Sequence, residues 1–191
     1  MISNKIKKIL IDKKNHTHKY KILCIGDIVL DHYIYGKVER MSPEAPIPIL
    51  LPTHEKYLLG GAGNVAKNIS DLGGKVSLLY LSSSENLSKI IKNLINENKN
   101  ISSLSTYNKK FKTPIKTRYI NNSNHMIRVD YEDAKFKLDQ KTKKIILGKI
   151  AKKILKHDVV VLSDYDKGLL DKQLIKKIIK ISNDNNKIII A

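Results

Sequence analysis

The sequence is poor in several residue types that define particular protein classes. It has no tryptophan, one cysteine, five prolines and nine glycines in 191 residues. The single cysteine, Cys24, excludes a disulfide framework, so we expect a buried, reduced thiol in a cytoplasmic protein. No apolar run approaches the length that spans a bilayer, and the lysine-rich residues 1–20 do not resemble a secretory signal. We therefore predict no membrane association.

Arginine is scarce too, and its rarity changes how the charge is interpreted. The formal net charge is +18, yet only three of the 36 basic residues are arginine. The lysines are spread along the whole chain instead of clustering among aromatic residues, which argues against specific nucleic-acid binding. Arg40, Arg118 and Arg128 stand out against this background. A planar, bidentate guanidinium is hard to replace by lysine where the partner is a phosphate or a carboxylate.

Apolar strands alternate with amphipathic helical stripes along most of the chain. This alternation is typical of an α/β/α sandwich with a mostly parallel sheet. Strands are predicted at 21–27, 75–81, 101–106, 158–164 and 187–191. Helices are predicted at 62–72, from Leu87 onward, from near Asp139, and from near Asp171.

Two regions break the alternation. Residues 33–38 and 47–53 predict short strands separated by a proline-rich segment, and the prolines indicate turns or an edge strand. Residues 112–130 predict a hairpin that turns at 122–124. We interpret the segments near 33–53 and 112–130 as a small, separate β-lid.

The stretch "LLGGAGNVAKN" at 58–68 admits more than one interpretation. Residues 61–66 fit the dinucleotide fingerprint G-x-G-x-x-A, and Glu85 follows the next strand, but "THEKYLL" is a poor opening strand for that unit. A P-loop is excluded because no Gly-Lys-Ser/Thr follows. Alternatively, Gly60 and Gly61 let the backbone approach a ligand, while the helix start offers N–H groups and Asn64 offers an amide. A glycine-rich helix start used only for packing also remains open.

Two carboxylates, Asp27 and Asp31, follow the first predicted strand. The carboxyl end of a strand is where open α/β sheets place their ligands. Carboxylate oxygens there would accept hydrogen bonds from sugar hydroxyls, which favours a polyhydroxylated ligand.

Taken together, these motifs resemble the ribokinase-like (PfkB) carbohydrate kinases, and within them the D-glycero-β-D-manno-heptose-7-phosphate kinase domains. The resemblance covers Lys21 to Ala191. It rests on "GDIVLDHYIYG", "RMSPEAPIPIL", "GGAGNVAKN", "TRYINNSNHMIRVDYE" and "LSDYDKG", which occur in the family's order and spacing. It implies an α/β/α sandwich whose β-lid covers the sugar and often forms a homodimer. Residues 1–20 would be a lysine-rich extension.

The resemblance also implies particular binding residues and a reaction. Asp27, Gly60, Gly61 and Asn64 match positions that line the family's sugar pocket, and Asp31 is a further candidate. Arg118, Arg128 and Lys167 lie in segments on the lid and substrate side, where they could meet a phosphate. The implied reaction is ATP- and Mg²⁺-dependent phosphorylation of the heptose 7-phosphate at O1, in ADP-heptose and lipopolysaccharide core synthesis.

The sequence departs from the family pattern in two ways. The segment "LSSSENLS" stands where the family usually has a Gly and an Asp, and no Gly-Ala-Gly-Asp motif occurs among the 191 residues. The family's catalytic aspartate and its ATP-binding segments would lie beyond Ala191, so we expect a substrate-side portion with little or no activity alone. A PfkB kinase of another sugar, or an inactive remnant, remains the alternative.

Overall fold

A computed structural model describes residues 20–83, 85–133 and 136–191. The predicted N-terminal extension, apart from Tyr20, lies outside the described residues. Two separate sheets and four helices make up the described part of the chain.

The main sheet has five parallel strands: β1 (Lys21–Gly26), β4 (Lys75–Ser82), β5 (Ile101–Tyr107), β8 (Val159–Ser163) and β9 (Ile188–Ile190). Their order across the sheet is β5-β4-β1-β8-β9. Apolar side chains fill both faces of the sheet, as expected for a parallel sheet between two helical layers. The prediction of a mostly parallel α/β/α sandwich is confirmed.

Two helices cover each face of the main sheet. Side chains alternate along a strand, so Leu23 and Ile25 of β1 face one layer while Cys24 faces the other. Leu23 and Ile25 pack with helices α3 (Gln140–Ile154) and α4 (Lys172–Asp184). Cys24 packs with helices α1 (Ala62–Asp71) and α2 (Glu85–Asn96) on the other face. The Cys24 thiol is fully buried, and burial raises its pKa to about 12.

Both helices on the first face begin at the predicted aspartates. The Asp139 carboxylate accepts a hydrogen bond from the Thr142 N–H at 2.8 Å, and the Asp171 carboxylate accepts one from the Leu174 N–H at 2.8 Å. These bonds satisfy N–H groups that have no partner inside the helix. Each aspartate is therefore the N-cap of its helix.

The four remaining strands form a second sheet, which we call the small sheet. Its order is β3-β2-β6-β7, with β2 (Ile28–Met41) and β3 (Pro48–Gly61) as one antiparallel hairpin and β6 (Ile115–Asn121) and β7 (Asn124–Tyr131) as another. The two hairpins join through the parallel pairing of β2 with β6. A separate β-layer is thus confirmed.

The first hairpin is much longer than predicted. Its strands run over 14 residues each, instead of 33–38 and 47–53. The ends of the hairpin next to the main sheet, at residues 28–30 and 59–60, are buried, and polar residues such as His32 and Glu55 interrupt the apolar pattern beyond them. The middle and far end are accessible on both faces, so polar side chains there do not end the pairing. Pro52 lies in β3, an edge strand, where a missing N–H is tolerated.

No helix in the described part of the chain is long and apolar enough to cross a membrane.

Candidate sugar-binding site

The glycine pair Gly60–Gly61 ends β3 and leads directly into helix α1. Gly61 has φ +56°, and a Cβ there would lie 2.3 Å from the carbonyl oxygen of Asp27. A Cβ on Gly60 would lie 2.4 Å from the Asp31 carboxylate. At Gly61 only glycine fits without a shift of the backbone, whereas a Cβ on Gly60 would displace the Asp31 carboxylate. The glycines therefore bring this turn close to both aspartates.

The dinucleotide interpretation of this turn does not fit the structure. A Rossmann fingerprint follows a parallel strand of the main sheet. Here the preceding strand, β3, is the antiparallel edge strand of the small sheet. The Asn64 side chain is exposed in the first turn of α1, close to the glycine pair.

Asp27 is the one residue between β1 of the main sheet and β2 of the small sheet. Its side chain is 1% exposed. The carboxylate accepts hydrogen bonds from the N–H groups of Tyr165 (3.1 Å), Lys167 (3.0 Å) and Leu169 (3.0 Å). Burial raises the pKa of this carboxyl, and the three N–H donors oppose that rise. The carboxylate is thus turned toward the chain itself and away from solvent.

Asp31, by contrast, is partly accessible and paired with Arg118. The guanidinium Nη1 lies 2.5 Å from the Asp31 carboxylate, and about four-fifths of each side chain is buried. The Arg118 guanidinium also lies 5.0 Å from the centre of the Tyr33 ring. Partial burial lowers the pKa of Arg118, but the hydrogen bond and charge of Asp31 outweigh this and raise it. The two residues form an ion pair at the end of the small sheet that adjoins the main sheet.

Arg128 stands directly opposite Arg118, because the two are register partners in the β6–β7 hairpin. Partners in an antiparallel pair share a face, with Cβ atoms about 4.5–5.5 Å apart. Arg128 donates from Nε to the Asp130 carboxylate at 2.8 Å, and Lys116 lies 3.4 Å from the same carboxylate. We call this side of the sheet, carrying Asp31, Lys116, Arg118, Arg128 and Asp130, the charged face.

Burial opposes the ionised form of Asp130, but hydrogen bonds from Arg128 and Lys116 lower its pKa overall. Of the five residues that define the charged face, three are basic and two are acidic. The two arginines lie side by side, which suits an anionic ligand.

Lys167 is close to Asp27 through its backbone only. Its Nζ atom lies 2.9 Å from the Glu132 carboxylate, just after β7. Arg40 lies nine residues beyond Asp31 on β2, about 30 Å away along an extended strand. The structure thus separates Arg40 from the other candidates.

Sequence reasoning overlooked four residues of this region: Tyr33, Lys116, Asp130 and Glu132. The first three could have been detected, because each lies two positions from a predicted site residue and so shares its face of a strand. Glu132 carried no local signal, since its partner Lys167 lies 35 positions further along the chain.

The segment after β4, which departs from the family pattern, is held by hydroxyl groups. The Ser83 hydroxyl lies 2.7 Å from that of Thr113 and accepts the Thr113 N–H at 3.2 Å. A cavity of about 680 Å³ opens beside it, between the ends of β4 and β5 and helix α2. Within residues 20–83, 85–133 and 136–191, no group of three or more His, Cys, Asp and Glu side chains could hold a metal ion.

No protein-family model matches the chain, but individual proteins do. A "Bifunctional protein HldE" from Helicobacter pylori is 40% identical over 171 residues, covering 90% of this chain and 37% of that protein. One from Caulobacter sp. is 36% identical over 170 residues, covering 89% of this chain and 34% of that protein.

Solved structures give the same picture for the fold. A possible 1-phosphofructokinase from Thermotoga maritima has a TM-score of 0.68 at 15% identity, and the match covers 89% of this chain and 52% of that one. Ribokinase from Giardia lamblia has a TM-score of 0.63 at 15% identity, covering 88% and 52%. This chain is related to the HldE proteins and has the ribokinase-like fold. The predicted family resemblance is confirmed, and the chain spans about a third of the length of its curated HldE relatives.

Proposed function

We propose that this chain provides the sugar-phosphate-binding part of a carbohydrate kinase that acts on D-glycero-β-D-manno-heptose 7-phosphate. The observation that carries the proposal is the charged face beside the glycine pair, at the carboxyl end of β1. The relatedness to bifunctional HldE proteins and the ribokinase-like fold support a sugar as the ligand.

Arg118 and Arg128 are our candidates for the 7-phosphate. Two guanidinium groups placed directly opposite each other repel unless anions lie between them. Each is partly satisfied by a carboxylate, yet each guanidinium has five N–H donors in a planar fork. A phosphate could bridge both forks, which a single lysine would do less well.

The sugar hydroxyls would lie closer to the glycine pair. The Asp31 carboxylate is partly exposed there and can accept hydrogen bonds, while Asn64 can both donate and accept. Gly60 and Gly61 leave room for the ring to approach the backbone. Asp27 is too enclosed to serve as a direct ligand in this conformation.

Phosphoryl transfer from ATP, in which Mg²⁺ would offset the negative charge of the phosphates, belongs to the same proposal. Such a reaction depends on a base for the attacking hydroxyl and on an anion hole for the transferred group. We assign no catalytic base among these residues. The proposal for this chain is therefore one of binding, with heptose 1,7-bisphosphate as the product of the whole enzyme.

A calorimetric titration of the purified chain tests the proposal. We expect saturable binding of the heptose 7-phosphate and at least tenfold weaker binding of the unphosphorylated heptose, because the 7-phosphate would meet both arginines. Arg118→Lys keeps the charge but loses the fork, so we expect about tenfold weaker binding. Arg40→Lys is the matched control and leaves the affinity unchanged. Equal affinity for the two sugars would contradict the proposal.

The likeness to phosphofructokinase-2 from Escherichia coli, whose solved structure is a complex with fructose 6-phosphate, favours that sugar as one competing substrate. The same titration separates the two sugars. Tighter binding of fructose 6-phosphate would keep the arginine site and replace the heptose.

We also propose that the chain forms a homodimer through the small sheet. The side opposite the charged face carries Tyr119 and Ile127, which are register partners, and Ile127 is 59% exposed. Light scattering measures the mass directly, and a monomer at micromolar concentration would contradict this.

A further inference from the structure

Every polar group of Asp27 is engaged within the chain. Its N–H donates to the Ser163 carbonyl at 3.1 Å, and its carbonyl accepts the Ala62 N–H at 2.9 Å. Its carboxylate accepts three N–H groups from the loop 164–169. One residue thus joins the end of β8, the start of α1 and the loop that follows β8.

The loop 164–169 is shaped around that carboxylate. Its three donors, Tyr165, Lys167 and Leu169, alternate with Asp166 at φ +56° and Gly168 at φ +93°. Alternation of right- and left-handed backbone turns successive N–H groups to one side and forms an anion-binding nest. Here the anion is the chain's own Asp27. With 1% exposure, this carboxylate has no open path to a ligand.

The loop also reaches the small sheet at a second point. Lys167, whose N–H bonds to Asp27, pairs through Nζ with Glu132 at 2.9 Å. Glu132 is the first residue after β7, so the chain leaves the small sheet there. Asp27 is where the chain first enters the small sheet from β1. A single loop therefore contacts two of the four places where the chain passes between the two sheets.

We propose that Asp27 is a positioning residue and not a sugar ligand. Its carboxylate holds the loop 164–169 in the conformation from which Lys167 reaches Glu132. The end of β7, and with it Arg128 and Asp130 on the charged face, is thereby tied to the main sheet. The consequence for sugar binding rests on the proposed function, but the positioning itself does not.

NMR-detected hydrogen exchange on the 21.7 kDa chain tests the positioning without any ligand. In Asp27→Asn, one oxygen acceptor is replaced by an NH₂ group that faces other donors. We expect the amides of Tyr165, Lys167 and Leu169 to exchange about tenfold faster or more, because a charge-assisted bond is lost locally. The amides of residues 23–25 should keep their wild-type rates, and Asp71→Asn is the matched surface control.

Lys167→Met separates the two steps and remains informative if Asp27→Asn does not fold. It keeps the backbone N–H but removes the ion pair with Glu132. We expect the three loop amides to stay protected while amides at the end of β7 exchange faster, and Glu132→Gln should reproduce this result. The proposal is overturned if Asp27→Asn leaves the exchange rates of the three loop amides unchanged, or if the amides of residues 23–25 exchange faster by the same factor. It is also overturned if Lys167→Met leaves the exchange rates at the end of β7 unchanged. A wild-type chain that binds no heptose 7-phosphate, while the variants show these exchange patterns, would count against the proposed function only.

Discussion

The main sheet and the small sheet are built on opposite principles. In β4 of the main sheet, seven of eight residues are buried, whereas in β7 of the small sheet none of eight is buried. The main sheet is therefore stabilised by apolar area removed from water. The small sheet depends on pairs of side chains across neighbouring strands.

The pairs in the small sheet are individually weak. They include the ring stacks of His32 on Tyr57 (4.1 Å) and Tyr35 on His54 (4.5 Å), besides the ion pairs of the charged face. Exposed ion pairs contribute about 0–1 kcal/mol each. Such side chains can exchange their partners for a ligand at little cost in stability. The contrast indicates that the main sheet holds the fold and the small sheet serves binding.

The largest expected effect comes from truncating a core residue of the main sheet. Ile25 is fully buried, so Ile25→Ala should cost about 2–5 kcal/mol, or roughly 4–20 °C in melting temperature. In the small sheet, Met41 of β2 is 56% exposed, and Met41→Ala should stay within about 0.5 kcal/mol. Thermal and urea unfolding measure both. Similar losses for the two variants would remove the contrast between the sheets.

The next largest effect is expected at the junction between the sheets. Gly61→Ala would place a Cβ 2.3 Å from the Asp27 carbonyl at φ +56°, so we expect a loss of about 1–3 kcal/mol. Gly148→Ala is the matched control, because a Cβ there meets no atom within 4 Å. Since Gly148 lies inside helix α3, alanine should stabilise by about 0.5–1 kcal/mol. Urea midpoints that moved in the same direction would contradict this.

A smaller effect should appear as a pH dependence on the main-sheet side. The N–H and O–H groups of Thr142 bond to the ionised Asp139 carboxyl and lower its pKa to about 2, against about 3.9 in an unfolded chain. This stabilisation is complete above pH 4 and is lost as the pH falls toward 2. The stability difference between wild type and Asp139→Ala should therefore shrink over that range. A difference that stayed constant from pH 6 to pH 2 would contradict the assignment.

The smallest effect is expected on the charged face. Asp130 is held by Lys116 and Arg128, so Asp130→Asn should cost less than about 1 kcal/mol at low salt. The loss should vanish in 1 M salt, where the screening length is about 3 Å. The loss in Asp139→Ala, which comes from hydrogen bonds, should persist there. Urea unfolding at both salt concentrations distinguishes the two cases.

The sequence was sufficient to predict the main sheet. The nearly continuous apolar runs "KILCIG" and "KVSLLYL" predict strands that are buried on both faces, and the structure has them so. Asp139 and Asp171 precede apolar helical stripes and proved to be N-caps. The length of the first hairpin in the small sheet could not be predicted, because neither of its faces follows a continuous apolar pattern.

The candidate site was predictable only in part. The glycine pair and the retained arginines identified the region, and strand alternation would have added Tyr33, Lys116 and Asp130. The orientation of Asp27 could not be predicted, because its three donors lie 138 to 142 positions away in sequence. A carboxylate after a strand has the same local sequence whether it faces a ligand or a distant loop.

The reactivity of the Cys24 thiol can report how often the main sheet opens. Cys24 has the one thiol in the 191 residues, it lies at the centre of the main sheet, and its side chain has no exposed surface. With a pKa near 12 it stays almost wholly protonated at neutral pH, so an alkylating reagent reacts with it only after the sheet opens. The rate of labelling then measures how often the main sheet opens, with no engineered probe and no competing site.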